Sequence, residues 1–118
     1  MAEMHERNEP LNPLDELRGA IDNSLQGMED EYNRVPTNTW LDCLGTRVAI
    51  IRFRFDESVK QGMLTGELAN KAKEKLEKLQ TRYSELRKSY PKKSGEKNRD
   101  TVPPEEKQEI LDMLRILD

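Results

Sequence analysis

The sequence predicts an all-α fold, a compact bundle of about four helices that is homo-oligomeric. Three observations lead there. Apolar residues recur at steps of three and four through most of the 118 residues, the spacing of one face of a helix. Pro36, Gly62, Gly66, Pro91 and Pro103 punctuate that pattern where such helices would begin or end. Two Phe, three Tyr and one Trp are too few for most sandwiches or barrels.

Residues 1–11 are largely charged and polar, contain Pro10, and read as a flexible leader. A single helical domain over 12–118 follows. Asn12 offers an N-cap, Pro13 suits the first helical position, and Asp15 and Glu16 favour the positive end of the helix dipole. Leu14, Leu17, Ile21, Leu25, Met28, Tyr32 and Val35 then form one stripe, so a helix over 13–35 is expected, closed by Pro36. Gly19 and Gly27 in this helix suggest a close approach by a neighbour. Thr37, Asn38 and Thr39 would cap a second helix over 39–61. Gly62 and Gly66 mark the next turn. Leu68, Ala72, Leu76, Leu79, Tyr83, Leu86 and Tyr90 make the cleanest stripe, over 66–90, with Glu67–Lys71 and Glu74–Lys78 spaced for surface ion pairs. Residues 91–102 read as a mobile basic loop. Pro103, Pro104, Glu105 and Glu106 open a last helix over 103–117, with Ile110, Leu111, Leu114 and Leu117 on one face.

The second helix differs from the others. Trp40, Leu41, Leu44, Val48, Ile51, Phe55 and Val59 fall on one arc at about 100° per residue, and Cys43, Ile50 and Phe53 fall on a second. A helix with two apolar faces needs cover from two directions, so it belongs at the centre of the bundle or at a surface shared with a partner. Arg47 and Arg54 lie between the arcs, Arg52 beyond the first; acids of the first helix (Glu16, Asp22, Glu29, Asp30) are their expected partners. Residues 47–55 also have high β-propensity, and an intermolecular strand pair is the alternative. No second strand candidate exists to pair with it, which favours the helix.

With 34% hydrophobic and 36% charged residues, the chain is near the lower limit for a compact core, and association would supply missing buried area. The net charge of −3 hides blocks: residues 1–31 carry −7, 32–81 carry +3, 82–99 carry +5 and 100–118 carry −4. The plain reading is acidic helices packing beside basic ones; the sharper one is a basic block facing phosphate. Cys43 is the only cysteine, so no internal disulfide forms, as suits a reducing compartment. The polar N-terminus resembles no targeting peptide, and no apolar run is long enough to span a bilayer. A cytoplasmic location is expected.

No catalytic, cofactor or metal signature emerges. His5 is the only histidine and lies in the leader, and no pair of His or Cys offers a zinc site. Acid pairs lack the spacing of a calcium loop. Leu17, Arg18, Ile21 and Asp22 form an L-R-x-x-I-D string that resembles the opening of the all-helical chorismate mutases. That resemblance implies one long, uninterrupted, basic first helix, whereas this chain breaks at Pro36 and lacks the further lysine. The general layout resembles the small helical double-stranded-RNA binders among viral silencing suppressors, which are dimeric hairpins, in shape alone. The expectation is therefore a non-enzymatic interaction protein, an adaptor, assembly subunit or inhibitor. It would contact a protein partner or a second copy through Cys43, Arg47, Ile50, Phe53 and Arg54. The alternative is nucleic-acid binding through Arg82, Arg87, Lys88, Lys92, Lys93, Lys97 and Arg99, with Tyr83 and Tyr90 able to stack on bases. Against it, the chain is acidic overall. No cofactor, membrane or small-molecule partner is expected.

Overall fold

The computed structural model describes residues 12–90 and 101–118; the leader and most of the 91–102 loop lie outside them. The described residues form four helices and no strand: α1 (Pro13–Glu31), α2 (Thr37–Lys60), α3 (Gly66–Ser89) and α4 (Pro104–Leu114). Each packs on the two beside it, α1 on α2, α2 on α3, α3 on α4 and α4 back on α1, so the four close into a ring around one core. None is long and apolar enough to cross a membrane. Residues 47–55 are helical throughout, which removes the strand alternative.

Local chemistry accounts for most boundaries. Asn12 Oδ1 accepts from the backbone N–H groups of Leu14 and Asp15 at 2.8 and 3.2 Å, so the expected cap operates. α1 ends four residues earlier than its stripe suggests. Tyr32 and Val35 keep their place beside the core but sit in a turn. The expected Thr37–Thr39 caps do not act: Thr37 is already helical, and Pro36, with extended backbone, is the N-cap. Between α2 and α3, Gly62 and Gly66 take φ of 77° and 67°, which side-chain-bearing residues rarely adopt. The Ser58 carbonyl accepts from Met63 and Leu64 there, at 2.9 and 3.1 Å. α4 is shorter than expected, and Ile116 and Leu117 pack from the closing turn.

The core is the first arc of α2 pressed against the stripes of its neighbours. Trp40, Leu41, Leu44, Ile51, Leu17, Met28, Leu76, Leu79, Leu86, Ile110 and Leu114 are all buried. Each such side chain contributes about 1.5–3 kcal/mol relative to an exposed one. Two residues placed in those stripes are not covered: Val59 is 42% and Leu68 43% exposed. Both stand near the α2–α3 turn. α2 and α3 have 24 residues each, α4 only 11, and α4 begins at the opposite end of the bundle. The stripes at the turn therefore outrun their cover.

Trp40 joins three elements. Its indole N–H donates to the Met28 carbonyl at 2.9 Å, in the last turn of α1, where helical carbonyls lack partners. Its ring meets Tyr32 edge-on at 5.7 Å and 76°. The Tyr32 hydroxyl donates to the carbonyl of Val102, which is fully buried before α4. Lys107 lies 4.9 Å above the Tyr32 ring and 2.9 Å from Glu29. Val102 is thus anchored, although the sequence placed it in the loop.

Close helix contact occurs at glycines, though not both expected ones. A Cβ on Gly19 would meet nothing within 4 Å, whereas one on Gly27 would strike the Arg47 guanidinium. Gly45, which the sequence did not single out, lets Tyr83 of α3 onto α2: an added Cβ would lie 2.5 Å from the hydroxyl oxygen and 2.8 Å from Cζ.

Two stability measurements test this packing. Trp40→Phe keeps a ring but loses the Met28 bond and part of the volume. It is expected to cost about 2–3 kcal/mol in urea denaturation at an unchanged m-value; a cost below about 0.5 kcal/mol would mean that the indole bond does not hold α1 to α2. Gly45→Ala gains about 1 kcal/mol of helix propensity, yet is expected to destabilise by about 1–2 kcal/mol net because the phenol ring must move. In a Tyr83→Leu background the same substitution should become neutral or stabilising.

Candidate protein interface

The outer face of α2 carries the second arc, and among the described residues no neighbouring helix covers it. Ile50 is 45% and Phe53 56% exposed, and Cys43 is half-buried. α2 is thus not central: it takes an ordinary place in the ring, with the first arc inward and the second outward. Thr39, Asp42, Cys43, Thr46, Arg47 and Ile50 line an open groove of about 410 Å³ along this face.

The arginines beside the arc are held from α1. Arg54 Nη1 donates to Glu16 Oε1 at 3.0 Å, and the Arg54 guanidinium lies 5.4 Å from the Phe53 ring centroid. An exposed aromatic ring is therefore braced by a cation that is itself fixed by a carboxylate. Arg47 Nη2 lies 3.7 Å from Glu31 Oε2, and its guanidinium rests over Gly27. Glu16 was expected as a partner; Glu31 was not, and Glu29 pairs with Lys107 instead. Arg52 turns to the α3 side, reaching Asp56 and Gln80 at 3.3 Å.

Cys43 stands beside Glu31. Burial, then a hydrogen bond to Glu31 and the charge of that carboxylate, push its thiol pKa up, with Asp42 adding and Arg47 opposing. A thiol so placed is a poor nucleophile at neutral pH.

Two residues of the basic block, Arg82 and Arg87, are engaged inside the molecule. Arg82 lies 3.2 Å from Glu85, 3.5 Å from Glu106 and 3.3 Å from Glu109, joining α3 to α4. Burial works against its charge, but these carboxylates outweigh it and raise its pKa further. Arg87 lies 3.6 Å from Asp42 and donates to the Asn38 carbonyl, joining α3 to α2. Tyr83 and Tyr90 pack against the core. Lys88 alone of the described block is exposed without an ion pair; Lys92, Lys93, Lys97 and Arg99 lie outside the described residues. Glu67–Lys71 pairs at 4.0 Å, whereas Glu74 and Lys78 do not meet. Among the described residues no group of three His, Cys, Asp or Glu side chains could hold a metal ion.

Arg18 and Asp22 of the L-R-x-x-I-D string are exposed on α1. They line a groove of about 120 Å³ against the C-terminal residues Arg115, Leu117 and Asp118, with no third base. Comparison with known proteins matches this chain to no family model, no curated protein and no solved structure.

The thiol environment can be checked by alkylation. At about pH 7.5, iodoacetamide should modify Cys43 in the folded chain more slowly than in the urea-unfolded chain, with the rate rising at higher pH, because a raised pKa leaves less thiolate. Glu31→Gln should shift that profile to lower pH; an unchanged profile would remove the carboxylate as a cause.

Proposed function

We propose that this chain is a non-enzymatic interaction protein that works by protein–protein contact through the outer face of α2. The reading rests chiefly on Phe53, a large aromatic side chain that is more than half exposed yet braced in place by the Glu16–Arg54 pair. Aromatic and arginine side chains are frequent anchors of protein interfaces, and pre-positioned ones lose less entropy on binding. Ile50 and the half-buried Cys43 extend the apolar strip, and Arg47 borders it. The fold does not need this strip, since the first arc of α2 alone faces the core. The internal pairing of Arg82 and Arg87 counts against phosphate binding by the basic block.

Phe53→Asp tests the proposal. The variant should keep its helicity and a thermal midpoint within about 3 °C of the parent, as exposed substitutions do, while losing association with its polypeptide partner or with its own kind. Unfolding of the variant would place Phe53 in the core, and association that survives Phe53→Asp combined with Ile50→Asp would place the interface elsewhere. The association should hold between about 50 and 200 mM salt, where phosphate contacts weaken steeply.

A further inference from the structure

We draw no further inference here: the strongest candidate, the apolar patch of Val59, Met63 and Leu68 at the turn between α2 and α3, is exposed at the end of the bundle, and nothing in the structure shows what covers it.

Discussion

The end of α1 is tied to the start of α2 at one residue, Trp40, and the entry to α4 is tied to the same point. Its indole supplies a donor where α1 runs out of helical N–H groups, so the last turn of α1 can be buried without an orphan carbonyl. Its edge contact holds Tyr32, and the Tyr32 hydroxyl then receives the chain as it enters α4. One ring contact and two hydrogen bonds thus link residues up to 70 positions apart. A helix as short as α4 would not persist alone in water. Here its entry is clamped by Val102 and Lys107, and its body by Ile110 and Leu114 against the core.

The charge blocks resolve into the same architecture. Acidic α1 lies along α2 and takes Arg47 and Arg54; acidic α4 lies along α3 and takes Arg82. Each pair is partly exposed and weak taken singly. Together they orient neighbours, because exchanging α1 with α3 would face the arginines of α2 with the lysines of α3. Partly exposed arginines bridge α1 to α2, α2 to α3 and α3 to α4, and Lys107 bridges α4 to α1.

Much of this was legible in the sequence. The four stripes located four helices, Asn12 announced its cap, and the two arcs of α2 separated core from exposed face before any coordinates. Periodicity reports which side of a helix is apolar, but not how far its neighbours extend, and so Val59 and Leu68 were assigned to a core that stops short of them. It is equally silent on partners distant in sequence. The acids of α2 and α4 that pair with Arg82 and Arg87 could not be connected to them from spacing along the chain. Gly45 escaped notice for the same reason: its meaning resides in Tyr83, on another helix. Projection alone set Cys43, Ile50 and Phe53 on a separate arc bordered by Arg47 and Arg54, whereas the bracing of Phe53 through Arg54 to Glu16 needed three-dimensional neighbours.

The turn between α2 and α3 carries one last implication. An added Cβ on Gly62 or Gly66 would meet nothing within 4 Å, yet both residues hold positive φ. Handedness of the amino acid, rather than crowding, is what closes these two sites to most side chains. Drift there should run towards asparagine or aspartate, which tolerate the mirror-image backbone, and away from alanine or valine, however ample the space around them.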